Sequence, residues 1–342
     1  MFFSRRADLS SFVLELTPDC NHRCAWCYNA WRHRDFPPPS LGLEDWKRIV
    51  LKLERQARPR RIALSGGEPL LHPQAFELIE FIRARSIGVN LLTNGSLLDE
   101  AKAGRLVKAG VSVIEIPLPA ADRERHAVAA GADDFEAVTA AFANVKVKGG
   151  SSVAVFVATK ENIDRCGEVF EFAVFLGARG FMFNRVNPAS REHLDLLPSP
   201  AQLERALGEL DALAAKHRLP VSVSVPVPPC VLDLGRFKNI SYGYCPRGGK
   251  GSYYTVDFCG NLRTCNHSPV ALGNLLERDL GGLLKHPYVS RFKEELPAFC
   301  RGCAKAAVCG GCCPASAEAV CGDLAATDPF VKACARPGWG VK

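Results

Sequence analysis

Three cysteines near the amino terminus are the first residues whose types and spacing indicate chemistry. Cys20, Cys24 and Cys27 lie within eight residues, directly after a predicted strand over residues 11–17. Three thiolates on one short loop can hold one corner of an iron–sulfur cubane. A zinc site with His22 as the fourth ligand is one alternative, and three unrelated thiols are another. The spacing favours an iron–sulfur cluster over both.

Polar and glycine-rich segments follow the next two predicted strands. The strand at 61–65 leads into the turn Gly66-Gly67-Glu68-Pro69, and the strand at 88–93 ends at Thr93-Asn94. Glycines allow the backbone to approach a ligand closely, and a carboxylate beside them can bind an ammonium group. The short polar groups of Thr93 and Asn94 suit a sugar or a carboxylate. In parallel sheets these strand ends share one edge, so we expect them to lie near the cysteines.

Apolar runs and amphipathic stretches alternate from residue 11 to about 225. The predicted strands are 11–17, 61–65, 88–93, 111–117, 151–159 and 179–186. The predicted helices are 43–57, 73–85, 98–109, 133–147, 161–177 and 200–216. Six βα units in series predict an α/β fold with a parallel sheet, curved into a partial (β/α)6 TIM-like barrel. The apolar runs do not alternate strictly, which predicts strands that are buried on both faces.

The composition changes near residue 227. We therefore predict a barrel domain over 1–226 and a cysteine-rich domain over 227–342, with a hairpin at 251–264 and a helix near 275–295. Eleven of the fifteen cysteines lie between residues 230 and 334. Disulfides do not persist in a reducing compartment, so clustered thiols there are more often metal ligands. Zinc would satisfy the spacing as well, but iron–sulfur clusters are favoured downstream of the first cysteine loop.

The overall composition excludes several functional classes. The chain has 342 residues, of which 47% are hydrophobic and 23% charged, as in a globular enzyme. The net charge is +7, but the basic residues are scattered, so no nucleic-acid surface is expected. No apolar run is long enough for a membrane span, and no apolar segment of a signal peptide follows Met1. These features predict a cytoplasmic protein without a membrane partner.

The cysteine loop, with Trp26 before its last cysteine, and the GGEP turn together resemble the radical S-adenosylmethionine (SAM) superfamily, over about residues 11–190. The resemblance implies that Cys20, Cys24 and Cys27 bind a [4Fe–4S] cluster, whose fourth iron is chelated by SAM. Reductive cleavage of SAM then yields a 5′-deoxyadenosyl radical, which abstracts a substrate hydrogen. The SAM-binding residues implied in this way are Gly66, Gly67, Glu68, Pro69, Thr93, Asn94 and Arg185.

Two positions of the barrel are ambiguous. Many relatives end the fourth strand in a Ser-Leu-Asp-Gly-like segment, whereas this chain has Pro117-Leu118-Pro119-Ala120. Glu115 is a candidate substitute, and the alternative is that it points outward. Arg185 is expected either to reach a carboxylate of the cofactor or to form a surface salt bridge.

The distal cysteines resemble those of the SPASM domain, the auxiliary-cluster module of radical enzymes that mature peptides. This resemblance implies two further [4Fe–4S] clusters, three in all. The first auxiliary cluster would take Cys230, Cys245, Cys265 and Cys313, and the second would take Cys300, Cys303, Cys309 and Cys334. Cys321 is the alternative to Cys334, while Cys259 and Cys312 are expected to ligate nothing. Cys166 is predicted to be a buried helix residue.

These resemblances imply maturation of a peptide or protein by cross-linking, thioether formation, epimerisation or oxidation. An electron donor such as flavodoxin or ferredoxin is implied as well. Only about ten residues precede the first strand, so a peptide substrate is expected to need either a separate leader-binding protein or a leader-independent mode of recognition. A small-molecule dehydrogenase or decarboxylase is the alternative, and a non-catalytic zinc or electron-transfer protein would leave Glu68 unexplained.

Oxidation to formylglycine is disfavoured among these reactions. Asn266 follows Cys265, where sulfatase-maturing relatives carry a candidate aspartate base. An amide cannot take a proton, although His267 can. The alternative is that His267 is a turn residue.

Overall fold

A computed structural model describes residues 9–29, 40–247 and 251–335. Six parallel strands with intervening helices form its centre, which confirms the predicted α/β class and parallel sheet. The strands are β1 (Ser11–Glu15), β2 (Arg61–Ser65), β3 (Gly88–Leu92), β4 (Val113–Pro117), β5 (Ser152–Ala158) and β6 (Gly180–Arg185). Each lies within the predicted range.

Seven helices accompany these strands, one more than the sequence predicted. They are α1 (Leu43–Gln56), α2 (Ala75–Arg83), α3 (Glu100–Lys108), α4 (Arg123–Ala130), α5 (Phe135–Val147), α6 (Cys166–Leu176) and α7 (Pro200–His217). The additional helix is α4, which has no clear apolar face. Local capping defines it instead, because the Asp122 side chain accepts a hydrogen bond from the Arg125 backbone and Gly131 ends it at φ 63°.

The strands are not buried on both faces, so that expectation is wrong for the inner face. On β4, Ile114 and Ile116 are buried, whereas Val113 and Glu115 remain partly exposed. The same alternation runs through β3 and β5. The inner face of the sheet, which includes Asn90, Val113 and Glu115, is therefore less covered than the outer face, and the space in front of it is here called the chamber.

Strands from beyond residue 220 extend the sheet at both edges. β7 (Val221–Val223) and β8 (Ile240–Tyr242) follow β6 in parallel. β9 (Tyr253–Val256) pairs in parallel with β1, and it is followed by β10 (Asn261–Arg263) and β11 (Ala271–Asn274). One eleven-stranded sheet thus includes residues from both sides of position 227. The domain division at that position stays a prediction.

Short helices dominate the carboxyl-terminal region. They are α8 (Leu280–Leu283), α9 (Pro287–Glu294), α10 (Ala306–Cys309), α11 (Pro314–Cys321) and α12 (Pro329–Ala333). The predicted hairpin is present as β9–β10, while the helix expected near 275–295 is divided into α8 and α9. His286 caps the second of these, and Pro287 at its first position cannot continue a preceding helix. No helix among the described residues is long and apolar enough to span a membrane.

Candidate active site

The loop with Cys20, Cys24 and Cys27 is held against the end of α4. The Arg23 backbone N–H donates to the Ala130 carbonyl over 2.9 Å. Gly131 is required beside this contact, because a Cβ atom there would lie 2.7 Å from the Arg23 carbonyl oxygen. The helix that the sequence did not predict therefore positions the loop that carries the chemistry.

His22, within the same loop, is engaged in a carboxylate contact. Its Nε2 lies 2.6 Å from Asp134 Oδ2, and His126 Nε2 lies 3.0 Å from the other oxygen of that carboxylate. His22 is buried, and this contact anchors the loop to the start of α5. The zinc alternative needed this same histidine as its fourth ligand. Over residues 9–29, 40–247 and 251–335, no three or more His, Cys, Asp or Glu side chains are arranged to hold a single metal ion.

Gly66 and Gly67 allow two backbone segments to pack together. Gly67 N–H donates to the Thr17 carbonyl and Glu68 N–H to the Asp19 carbonyl, each over 2.7 Å. A Cβ atom on Gly67 would lie 2.0 Å from the Asp19 oxygen, and one on Gly66 would lie 2.5 Å from the Thr17 oxygen. The sequence predicted that these glycines let the backbone approach a ligand closely. In the structure they let the backbone of the turn approach the base of the cysteine loop.

Glu68 is fully buried and accepts three hydrogen bonds. Its Oε1 accepts from Leu70 N–H over 2.9 Å and from Thr93 Oγ1 over 2.7 Å, and its Oε2 accepts from Asn94 N–H over 2.7 Å. Burial raises the pKa of Glu68 to about 7, although the three hydrogen bonds act in the opposite direction. A carboxylate offers about four acceptor positions, so one position remains. The structure thus brings Glu68, Thr93 and Asn94 together at adjacent strand ends.

Asn21 connects this cluster to the cysteine loop and was not singled out in the sequence. Its Oδ1 accepts from Asn94 Nδ2, and its Nδ2 donates to Ser96 Oγ, each over 2.7 Å. An asparagine directly after Cys20 was the only available signal. The polar network therefore runs from the loop to the end of β3.

Arg185 lies in neither of the two predicted environments. It is fully buried, and its Nε donates to the Pro226 carbonyl over 2.9 Å. Its Nη2 lies 3.3 Å from Cys312 Sγ and 3.6 Å from Asp328 Oδ2, and Asp328 is also fully buried. The guanidinium therefore joins the end of β6 to the carboxyl-terminal region. It is neither at the Glu68 cluster nor in a surface salt bridge.

Replacing Arg185 by methionine should lower the free energy of unfolding by about 3 kcal/mol, because Asp328 would remain buried without its cation. Urea denaturation of the isolated protein measures this change. Arg191→Met is the matched control at an exposed arginine and should change stability by no more than about 0.5 kcal/mol. Equal effects of the two substitutions would contradict the buried ion pair.

Aromatic and polar side chains from both ends of the chain line the chamber. The Tyr28 and His267 rings stack with centroids 4.2 Å apart. Asn266 forms hydrogen bonds with the hydroxyls of Tyr28 and Tyr253. Asn187 Nδ2 donates to His267 Nδ1 over 3.3 Å. The residue after Cys27 is thereby joined to the residues after Cys265.

The two candidate catalytic residues also lie at the chamber. Burial, together with the positive charge of Arg185, lowers the pKa of His267 to about 3. Glu115 is on the inner face of β4, where burial raises its pKa and Asn90 Nδ2 lies 3.4 Å from Oε1. Glu115 therefore points inward rather than outward.

The distal cysteines form two groups. The thiols of Cys245 and Cys313 interact electrostatically with Cys265, whose pKa is raised chiefly by burial. Here Cys245, Cys265 and Cys313 are called the first thiol group. In the second thiol group, Cys300 interacts with Cys230, Cys303 and Cys309.

Cys230 thus lies with the second group, and its assignment beside Cys245 and Cys265 does not match the structure. Sequence spacing could not decide this, because residues 227–236 turn back toward α10 only in the folded chain. Cys334 is buried and interacts with Cys230, whereas Cys321 ends α11 and is exposed. The thiol of Cys312 contacts Arg185. Cys166 is buried in α6 as predicted.

A family model described as the radical SAM superfamily matches residues 14–173. Residues 14–173 therefore form a radical SAM domain. The matched segment begins in β1 and ends in α6, so it contains the cysteine loop, the GGEP turn and the Glu68 cluster. The predicted recognition is confirmed, and a [4Fe–4S] cluster and SAM are the cofactors that the family implies.

Two curated relatives align over nearly the whole chain. An AdoMet-dependent heme synthase of Methanosarcina barkeri is 27% identical, covering 95% of this chain and 96% of that protein. A PqqA peptide cyclase of Gluconobacter oxydans is 28% identical, covering 93% of this chain and 89% of that protein. Both are enzymes, and so is this chain.

Solved structures share the fold over both parts of the chain. Native anSMEcpe with bound AdoMet superposes with a TM-score of 0.73 at 17% identity, covering 94% of each chain. Streptococcus suis SuiB bound to precursor peptide SuiA gives 0.70 at 14% identity, covering 90% of this chain and 72% of that one. The match includes the cysteine-rich region, and the expected SPASM-type arrangement is confirmed at the level of fold.

Proposed function

We propose that this radical SAM enzyme abstracts a hydrogen atom from a peptide or protein substrate held in the chamber. The observation that carries the proposal is the direct packing of the cysteine loop on the GGEP turn, with Glu68 buried beside it. When bound at Cys20, Cys24 and Cys27, a [4Fe–4S] cluster with SAM supplies the 5′-deoxyadenosyl radical. The remaining acceptor position of Glu68 suits the amino group of SAM.

The chamber supports a substrate with polar and aromatic groups. Tyr28 and Tyr253 are partly accessible, although protein surrounds them. Such residues line an interior space that is open to a ligand. The similarity to a PqqA peptide cyclase favours a peptide as that ligand.

Two auxiliary [4Fe–4S] clusters form part of the proposal. The first thiol group offers three ligands and leaves one iron without a cysteine. The second offers four thiols, with Cys334 nearby. Cysteine thiolates are the usual ligands of such clusters.

A small-molecule substrate is the second candidate. The heme synthase relative covers as much of the chain as the peptide cyclase, at nearly the same identity. Both candidates use the same cofactor site, so only the occupant of the chamber distinguishes them.

The function is tested with anaerobically reconstituted protein. About twelve irons per chain are expected for three cubanes, against about four for the first cluster alone. SAM and dithionite should then yield 5′-deoxyadenosine. Peptides encoded beside the gene are screened by mass spectrometry for a mass change that depends on SAM. A modified metabolite with no modified peptide would favour the second candidate, and a fully loaded protein that cannot cleave SAM would reject both.

SAM affinity should fall about tenfold between pH 8 and pH 6. With a pKa of about 7, Glu68 is mostly charged at pH 8 and mostly neutral at pH 6, and the neutral form is the poorer acceptor. Equilibrium dialysis of the reconstituted protein measures the affinity. Glu68→Gln should bind more weakly at pH 8 and show a much smaller change with pH. The same pH dependence in both proteins would exclude Glu68 as the contact.

A further inference from the structure

Arg247 is a buried arginine whose hydrogen-bond partners are all uncharged. It is 5% exposed, and its Nε donates to the Phe292 carbonyl over 3.1 Å. Its two terminal nitrogens donate to the carbonyls of Gly310 and Glu295. Over the described ranges it forms no ion pair with a carboxylate.

The two other buried arginines near the distal cysteines differ in this respect. Arg185 is paired with Asp328 at 3.6 Å, and Arg263 forms an ion pair with Glu15. A buried charge without a counter-charge is costly by several kcal/mol. The positive charge of Arg247 therefore calls for a negative partner that is not a carboxylate.

Arg247 lies close to cysteines of both thiol groups. It lies two residues after Cys245 and interacts electrostatically with Cys245 and Cys313 of the first thiol group. It interacts in the same way with Cys300 and Cys309 of the second. Its guanidinium is therefore close to members of both groups.

The local backbone makes room for this arrangement. Arg247 has φ 46°, in the left-handed region that non-glycine residues rarely adopt. Gly310, directly after Cys309, has φ 66°, and a Cβ atom there would lie 2.7 Å from Arg247 Cδ. The left-handed residue and the absent side chain thus allow Arg247 to lie against Gly310, directly after Cys309 of the second thiol group.

We infer that Arg247 is the shared counter-ion of the two auxiliary clusters and raises the reduction potential of both. The inference rests on the auxiliary clusters of the proposed function. Reduction adds one electron to a cluster and makes it more negative, so a nearby fixed positive charge favours the reduced state. Arg247 is a positioning residue, since it acts through the clusters and needs no contact with the substrate.

The test is a redox titration of reconstituted protein with dithionite, monitored by electron paramagnetic resonance. Each cluster takes one electron from dithionite, and no bond is formed or broken. Arg247→Gln should lower both auxiliary potentials and leave that of the cluster at Cys20, Cys24 and Cys27 unchanged. Arg247→Lys, which keeps the charge, should stay closer to the unsubstituted protein. Lys293→Gln removes an exposed charge from α9 and is the matched control, with no change expected.

Each outcome decides the inference. Unchanged auxiliary potentials in loaded Arg247→Gln would overturn it. Failure of Arg247→Gln alone to take up the auxiliary irons would support it, since the lysine variant retains the charge. If neither variant takes up the auxiliary irons, the inference is overturned, because the positive charge kept in Arg247→Lys would then not be enough to support the clusters. If the unsubstituted protein itself binds only about four irons, the auxiliary clusters of the proposed function fail instead.

Discussion

Cys24→Ala should abolish 5′-deoxyadenosine formation and reduce the iron content from about twelve to about eight per chain. Cys24 is the central thiol of the loop, and without it Cys20 and Cys27 would give the cluster only two cysteine ligands. The distal thiol groups are separate from the loop, so their irons should remain. Iron and sulfide analysis together with product chromatography measures both effects.

Cys166→Ala is the matched control for this substitution. Cys166 is buried in α6 and belongs to neither thiol group, so its removal should leave iron content and SAM cleavage unchanged. Residual cleavage by Cys24→Ala would contradict the assignment of the loop. Loss of the auxiliary irons as well would show that the three sites assemble together.

Gly67→Ala should have the largest effect of any single methyl addition to the barrel. The new Cβ atom would lie 2.0 Å from the Asp19 carbonyl oxygen, and neither this backbone oxygen nor a Cβ atom can move away by a side-chain rotation. The turn and the base of the cysteine loop must therefore separate. We expect a loss of about 4 kcal/mol in the free energy of unfolding, together with loss of SAM binding.

Gly281→Ala provides the comparison. Gly281 lies in α8, and a Cβ atom there would have nothing within 4 Å, so stability should be unchanged or slightly higher. Urea denaturation and SAM equilibrium dialysis measure both variants. If Gly67→Ala is as stable as Gly281→Ala and binds SAM normally, the close backbone packing does not determine the site.

The strand ends were the most predictable part of the molecule. Three successive apolar runs are each followed by one of these segments: the cysteine loop, the GGEP turn and Thr93-Asn94. Because the carboxyl ends of parallel strands lie at the same edge of a sheet, the three segments are expected to meet. This local information placed Glu68 beside Thr93 and Asn94 without knowledge of side-chain contacts. The same kind of local information did not predict α4, because capping residues and not an apolar stripe define that helix.

Other features depend on contacts between distant segments. Arg185 is joined to Asp328, and Tyr28 is stacked on His267, across more than a hundred intervening residues. The grouping of Cys230 is a further example, since its partners lie about seventy residues later in the chain. Residue types predict that such side chains need partners, but they do not say which partners the fold brings near.

The sequence by itself predicted iron–sulfur chemistry for the cysteine loop and the order of strands that places the loop beside the Glu68 cluster. Both follow from local spacing and from the rules of parallel sheets. Only the tertiary structure decided how that chemistry is confined. The open inner face of the barrel creates the chamber, and Gly66 and Gly67 let the turn pack on the cysteine loop. Arg247, which has no carboxylate partner in the part of the chain that the structure describes, lies close to both distal thiol groups. These features depend on close packing and on charge burial, which exist only when segments far apart in the chain meet.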